Sequence, residues 1–395
     1  MSGMKVLQIS NYIYPNFGGI EQVARDIANA LSPVPGIEQK IICFNTDASD
    51  GVAVTHQEET VHDTVDGVEV LRCSSFAKVR SQSLSTNFGR ELTHLLDSFD
   101  PDVVVFHYPN PFQAHFLLSY IRVHRGWEQR HKLVLYWHLD VVKQKLLRKV
   151  FHPQTLKLLR LASQVVATSP NYIEGSPYLR RFRNKCRVIP NCISEKRMML
   201  TDEIRARADE LRRQYGENKI LCFGIGRHIP YKGFRYLVEA SRYLDDRFVV
   251  LIGGNGELTD GLKAQAAGDD KVRFLGRLSD ADLIAHYYTC DIFCFPSITK
   301  NEAFGIALAE GMSFEKPAVT FTIPGSGVNY VNLDGVTGIE CPNSDSRAYA
   351  AALRRLADDR QLRQQYGAAA AQRVRGNFLS SQFADNIRAL FADLS

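Results

Sequence analysis

The sequence predicts an α/β protein of two doubly wound units of similar size, and three observations carry that expectation. The chain has 395 residues, more than one ordinary hydrophobic core organises. Short apolar runs of strand length alternate with segments of helical period, the pattern of parallel sheets covered on both faces. The alternation pauses once, in a charged helical stretch from Asp202 to Tyr215, and then begins again. This places a first domain at 1–192 and a second at 193–379, with a last helix, about 380–395, expected to return to the first.

In the first domain, strands are expected at Val6–Ser10, Lys40–Phe44, Val68–Arg72, Val103–His107, Leu133–Trp137, Val165–Thr168 and Cys186–Ile189. Helices are expected at Glu21–Leu31, Thr86–Ser98, Gln113–Arg122 and Gln154–Ala162, with 45–67 and 76–90 left as loops. Ligands of such sheets sit beyond the carboxyl ends of the strands, which singles out Asn11, His107, His138 with Asp140, and Ser169. His138 closes the apolar run Leu135-Tyr136-Trp137 and has an acid two positions on; a structural histidine and a site residue both fit that placement. Between the first strand and helix, Gly18-Gly19 permits close backbone approach to a ligand, or simply a turn. The spacing is not a dinucleotide fingerprint. Asp100-Pro101-Asp102 looks like a metal-binding Asp pair, but it leads straight into Val103-Val104-Val105 and reads as a turn before a strand.

In the second domain, the strand Lys219–Phe223 runs into Gly224-Ile225-Gly226-Arg227-His228-Ile229-Pro230-Tyr231-Lys232-Gly233, where two cations on a glycine-bracketed loop can clamp a diphosphate. Arg227 would act as a planar fork and Lys232 as a point charge; a solvated loop is the other reading. Strands follow at Phe248–Ile252, Val272–Phe274, Ile292–Phe295, Ala318–Phe321 and Gly338–Cys341. The backbone near Phe274 can meet a nucleobase edge. After Phe295-Pro296 comes Asn301-Glu302-Ala303-Phe304-Gly305-Ile306-Ala307-Leu308-Ala309-Glu310, with a helix beginning near Gly305. Its first N–H groups lack intrahelical partners and favour phosphate or sugar oxygens. Glu310, among Ala307, Leu308 and Ala309, would be costly to bury alone; a ribose diol or a structural ion pair would relieve it.

Composition narrows the setting. Hydrophobic residues make up 45% and charged residues 23%, ordinary for a globular protein without low-complexity tracts. The eight scattered cysteines fit reduced cytosolic thiols better than zinc. No stretch approaches a spanning segment and the start is too short and polar-flanked for a signal peptide, so a cytoplasmic protein is expected. The net charge of +5 is concentrated: residues 122–187 hold fifteen Lys and Arg against three acids. Such density suits an anionic membrane surface or a phosphorylated acceptor, as well as a plain solvated face; nucleic acid is not expected, because no helix-turn-helix, zinc-finger or RNA-platform signature accompanies it.

Taken in order, Gly18-Gly19, His138, Arg227 with Lys232, Glu302-Ala-Phe-Gly305 and Glu310 resemble the retaining GT-B-fold glycosyltransferases of family 4, over essentially the whole chain. The resemblance implies two facing Rossmann-like domains with a cleft between them, the first on the acceptor and membrane side, the second for the donor. It implies that Arg227 and Lys232 hold the donor diphosphate and stabilise the leaving group, that Glu310 binds the ribose, and that Glu302 with the backbone of Phe304 and Gly305 holds the hexose, with Ile306 and Phe274 also among the donor-binding residues. His138 would lie near the transferred sugar and Gly18-Gly19 near the phosphates. His138 and Glu302 then join Arg227 and Lys232 as catalytic candidates. The donor would be a UDP- or GDP-linked hexose and the acceptor a glycan, free or lipid-linked. No metal or other cofactor is expected, because fixed cations anchor the leaving nucleotide. A nucleotide-sugar epimerase of the same fold and a non-catalytic subunit of a glycosylation complex are the alternatives. Three positions depart from the pattern: Cys192 and Glu315 stand where glycine is usual, and Asn329 where an acid is common.

Overall fold

The computed structural model describes residues 3–16, 18–47, 55–79, 82–140 and 145–395, except the side chains at 47, 55–56, 78–79, 82 and 145–149. The chain forms two compact units. One comprises Met1–Thr168, Ser176–Ile189 and Ser381–Ser395; the other comprises Ser169–Gly175 and Pro190–Ser380.

The first unit is built on strands β1 (Met4–Ile9), β2 (Ile37–Phe44), β3 (Val61–Val65), β4 (Val68–Cys73), β5 (Val103–Tyr108), β6 (Lys132–Trp137), β7 (Gln164–Ala167) and β8 (Cys186–Val188). They lie in the order β8-β7-β6-β5-β1-β2-β4-β3, parallel throughout except for the β3–β4 hairpin at one edge. The central strands β5 and β6 are buried almost end to end, which is why they read as unbroken apolar runs. Between β1 and β5 the winding reverses direction, leaving a crevice at the carboxyl ends of these strands. Helix Gly19–Leu31 covers the sheet with Val23, Ala24, Ile27, Ala28, Ala30 and Leu31, a stripe of helical period. The terminal helix Ser380–Ala392 buries Phe383, Ile387, Leu390 and Phe391; Arg388 Nε donates to the Ala30 carbonyl at 3.0 Å, and Arg187 pairs with Asp393 at 2.6 Å.

Several expected elements differ in extent. The stretch 45–67 holds the β3 hairpin, turned by Asp66 and Gly67 at φ of 50° and 84°. Both residues occupy the left-handed region that a two-residue hairpin turn requires. The stretch 76–90 contains the antiparallel ribbon Ala77–Val79 with Gln82–Leu84. A helix expected from Gln154 begins at Lys145 and carries Pro153 inside it. A proline there removes one backbone bond without preventing the surrounding turns from forming. Asp102 Oδ2 accepts from the Lys5 amide at 2.7 Å and Asp100 caps a helix at φ 47°, so both acids serve the turn before β5. Part of the basic stretch is structural: Lys185 Nζ donates to the carbonyls of Leu159, Arg160 and Ala162, closing the carboxyl end of helix Lys145–Leu161.

The second unit carries β9 (Ile220–Ile225), β10 (Phe248–Gly253), β11 (Val272–Gly276), β12 (Ile292–Phe295), β13 (Ala318–Phe321) and β14 (Gly338–Cys341). Their order is β11-β10-β9-β12-β13-β14, all parallel, and the winding reverses between β9 and β12. Phe223, Ile252, Phe293 and Phe295 anchor a continuous apolar core. The charged helix expected at Asp202–Tyr215 has those bounds, fixed by Thr201, whose hydroxyl accepts from the Ile204 amide, and by Gly216 at φ 110°. Among the described residues, no helix is long and apolar enough to cross a membrane, and no cluster of His, Cys, Asp and Glu could hold a metal ion.

Candidate active site

In the second unit the reversal between β9 and β12 decides where chemistry gathers. The loop leaving β9 carries Arg227 and Lys232, and the loop leaving β12 carries Ser297 and Glu302. Lys232 Nζ lies 2.5 Å from Glu302 Oε2, and Ser297 Oγ donates to the same oxygen at 3.1 Å. Both charged side chains are about seven-eighths buried. The ammonium also sits over the Phe295 ring, 5.2 Å from its centroid. Lys232 has three donors and spends one on Glu302, which leaves it capable of holding an anion. Arg227 is exposed, and among the described residues its guanidinium has no carboxylate partner.

Glycines let these loops close. Gly233, at φ 67°, lies so near the Pro296 carbonyl that a Cβ would fall 2.0 Å from its oxygen. Gly254, at φ 98°, has the same relation to the Gly226 carbonyl. The Glu302 carbonyl accepts from Ser326 Oγ and the Ala303 carbonyl from the Gly327 amide at 3.1 Å, so the segment before the helix is held from two sides. Helix Ile306–Ser313 starts at Gly305, φ 95°. The Phe304 side chain is buried edge-on against Phe378, which leaves its backbone as the part available to a ligand. Phe274 lies in β11, the edge strand, half-buried, and β11 pairs on one side only.

Glu310 is buried, and its oxygens are already engaged within the protein. Arg197 Nη1 meets Oε1 at 2.8 Å and Tyr287 Oη donates to Oε2 at 2.9 Å; Arg197 also holds Asp280 at 2.9 Å. Burial pushes the Glu310 carboxyl up, with Arg197 and Tyr287 pulling it back. Of the two ways the sequence left open for relieving this carboxylate, the structure shows the ion pair, with Arg197 and Tyr287 as partners. A carboxylate has about four acceptor positions, so two remain.

In the first unit His138 follows β6, buried to 5% exposure. Its Nε2 lies 2.9 Å from Nδ1 of His107, and His107 Nε2 lies 3.0 Å from Gln8 Oε1. The acid two positions on is not its partner: Asp140 Oδ1 accepts from Trp137 Nε1 at 3.1 Å and from Ser176 Oγ at 2.8 Å. Burial drives both imidazoles toward the neutral form, His107 down to about 3 and His138 well below its ordinary value. Their folded values lie below the unfolded value of roughly 6.5, so below that pH the unfolded chain binds more protons and stability falls as pH drops toward 3. Each histidine contributes a slope of up to roughly 1.4 kcal/mol per pH unit there. Thermal melts from pH 7 to 4 are expected to show this loss, and a His107→Phe variant is expected to show a shallower one; parallel curves would contradict it.

Gly18 and Gly19 are exposed at the start of helix Gly19–Leu31. Nothing lies within 4 Å of a Cβ built on Gly19, so the fold itself does not demand glycine there. Two departures from the pattern find explanations. Glu315 adopts φ 59°, the conformation a glycine would take without strain. Asn329 Oδ1 accepts from the Ile323 amide at 2.7 Å while its Nδ2 donates to the Phe321 carbonyl at 3.2 Å. An acid could make only the first bond. A cavity of about 380 Å³ lined by Arg212, Lys219, Asp291, Lys316 and Arg363 lies at the opposite, amino-terminal edge of the second sheet. Arg212, Lys219 and Arg363 there already donate to backbone carbonyls, so it is a weaker ligand site than the β9–β12 crevice.

Sequence reasoning missed Arg197 and Tyr287, gave Ser297 and Ser326 no role of their own, and named His107 without pairing it to His138. Lys143 and the side chains of Lys145, Arg148 and Lys149, four bases of the basic stretch, lie outside the described residues.

Comparison with known proteins gives a consistent picture. Residues 17–197 match the model of Glycosyltransferase Family 4 and residues 207–373 that of Glycosyl transferases group 1. The D-rhamnosyltransferase WbpZ of Pseudomonas aeruginosa is 31% identical over 380 residues, 95% of this chain and 92% of that one. The O-antigen chain mannosyltransferase C of Escherichia coli is 28% identical over 394 residues, 99% of each. Among solved structures, a sucrose-phosphate synthase from Thermosynechococcus elongatus superposes with a TM-score of 0.78 at 17% identity, covering 99% of each chain. Anabaena HepE in complex with UDP gives 0.77 at 17% identity, covering 99% of this chain and all of its own. These structural likenesses show the GT-B fold.

Proposed function

The chain belongs to the glycosyltransferases that join a family 4-like domain to a group 1 domain, and from that premise we propose a retaining, metal-independent hexosyltransferase of family 4. It takes its hexose from a nucleotide diphosphate sugar, UDP- or GDP-linked, and gives it to a growing surface glycan. The observation that carries this reading is the pairing of Lys232 with Glu302 at the β9–β12 crevice, on whose β9 loop Arg227 has no carboxylate partner among the described residues. Two cations there can neutralise a diphosphate, while Glu302, fixed by Lys232 and Ser297, is positioned for sugar hydroxyls. Relatives that transfer mannose and rhamnose along nearly the whole length support a hexose-class donor.

In the proposed reaction the acceptor oxygen attacks the anomeric carbon from the face the nucleotide leaves. The bond to the β-phosphate breaks as the new one forms, and the acceptor proton passes to the departing phosphate oxygen. Arg227 and Lys232 stabilise the charge that grows on that phosphate. The glutamates position the donor, Glu302 the hexose and Glu310 the ribose through its remaining acceptor positions.

The test is nucleotide release from UDP-, GDP- and ADP-sugars, with and without membrane extract as acceptor. Acceptor-dependent release supports transfer; conversion of the sugar without acceptor would indicate an epimerase, and no release with any pairing would refute transfer. A chelator is expected to leave the rate intact, and a large loss would overturn metal independence. We place the enzyme on the inner face of the cell membrane, held by the basic stretch. Neutralising Lys143, Lys145, Arg148 and Lys149 together is expected to weaken binding to anionic liposomes, since bases near such a surface contribute roughly 1 kcal/mol each. Equal binding by the variant would mean a solvated face.

A further inference from the structure

A chain of hydrogen bonds beneath His138 fixes which of its nitrogens carries the proton. The chain begins at the Ala24 carbonyl, which can only accept, so the amide nitrogen of Gln8, 3.2 Å away, must donate to it. That orientation turns Gln8 Oε1 toward His107 Nε2 at 3.0 Å. An amide oxygen also only accepts, so the proton of neutral His107 sits on Nε2 and its Nδ1 is bare. His138 Nε2, 2.9 Å from that bare nitrogen, must be the donor. The single proton of a neutral His138 is thereby spent, and its Nδ1 carries only a lone pair, with no partner for it among the described residues.

Neutrality of both rings follows from their surroundings. His107 is fully buried, the two rings stack 5.2 Å apart against Tyr136, and neither has a carboxylate partner among the described residues. Gln8, where a glutamate would fit sterically, keeps it so: a carboxylate there would draw a second proton onto His107 and turn its Nδ1 into a donor facing another donor.

We infer that Gln8 and His107 are positioning residues that lock His138 in its Nε2–H tautomer, so that it meets a hydroxyl of the bound sugar with a bare Nδ1 acceptor. This rests on the proposed transfer reaction for the identity of the ligand and on the hydrogen-bond chain for the tautomer. The consequence for specificity is chemical: the position recognises a sugar carbon that bears a donor hydroxyl and discriminates against one where it is replaced by hydrogen or an ether.

The two parts are tested separately. In ¹⁵N-labelled protein the imidazole resonances of His138, assigned by their loss in a His138→Gln variant, are expected to show a protonated Nε2 and a bare Nδ1. His107→Phe removes the acceptor and is expected to abolish that pattern, whereas His107→Asn, whose Oδ1 stands where Nδ1 stood, is expected to retain it. Under turnover, His107→Phe is expected to lower kcat by roughly 10- to 100-fold, the range for losing a group that orients a site residue. His107→Asn is expected to recover most of that loss, and nucleoside diphosphate binding, read by thermal shift, is expected to stay at the wild-type level in both. An Nδ1–H tautomer in the wild type, or a wild-type kcat in the phenylalanine variant, would overturn the inference. The expected tautomer in a chain that transfers no sugar would refute the reaction and leave the hydrogen-bond chain standing.

Discussion

Lys232→Ala is expected to lower kcat by roughly 100- to 1,000-fold, the scale for removing one preorganised group that stabilises developing charge. The ammonium is held by Glu302 at 2.5 Å and by the Phe295 ring, so it is preorganised for the proposed diphosphate and would cost no reorganisation during reaction. Truncation also leaves Glu302 with Ser297 as its remaining side-chain partner, a buried carboxylate without its counter-charge. Two readouts separate the effects. Lys232→Ala with Glu302→Gln is expected to recover thermal stability without recovering turnover, because the neutral amide no longer needs the cation while the proposed phosphate still would. Steady-state rates that match the wild type in the single variant would refute the diphosphate role.

Gly233→Ala is expected to destabilise the second unit by about 2–4 kcal/mol and to remove most activity, by a different route. Its Cβ would stand 2.0 Å from the Pro296 oxygen and 3.1 Å from Ile298, at a φ of 67° that alanine rarely adopts. Pro296 belongs to the loop that carries Ser297 and Glu302, and Gly233 follows Lys232. The strain can be relieved only by separating the two loops whose charges meet. A drop in melting temperature together with a rise in donor KM is the expected signature; a fully stable and active variant would show that the loops are not held by this contact.

How much of this was legible in the sequence depends on the distance over which each feature is determined. The helix Asp202–Tyr215 and the break at Gly305 are set by neighbouring residues, and local rules located them. The parallel strands were readable because double-sided burial leaves an unbroken apolar run. Glu310 could be flagged as an anomaly from its apolar neighbours, yet its partner Arg197 lies 113 positions away, in a segment whose alternating charges look merely solvated. His107 and His138 stood at adjacent strand ends, but their pairing depends on β5 lying next to β6 and on Gln8 from β1, which is topology rather than pattern. The β3–β4 hairpin is a different kind of miss. Asp66-Gly67 between alternating residues is a local turn signal and was open to be read.

The division of the chain has a consequence for the order in which it is made. The first unit counts Ser381–Ser395 among its parts, and that segment supplies the arginine that bonds the Ala30 carbonyl and the acid that pairs with Arg187. A ribosome must therefore complete the whole of Pro190–Ser380 before the amino-terminal unit receives its last helix. At about 5–20 residues per second that interval is roughly 10–40 s. During it, the surface later covered by Phe383, Ile387, Leu390 and Phe391 has only nascent chain and chaperones to shield it. The unit that begins synthesis first is the one whose last segment is made last.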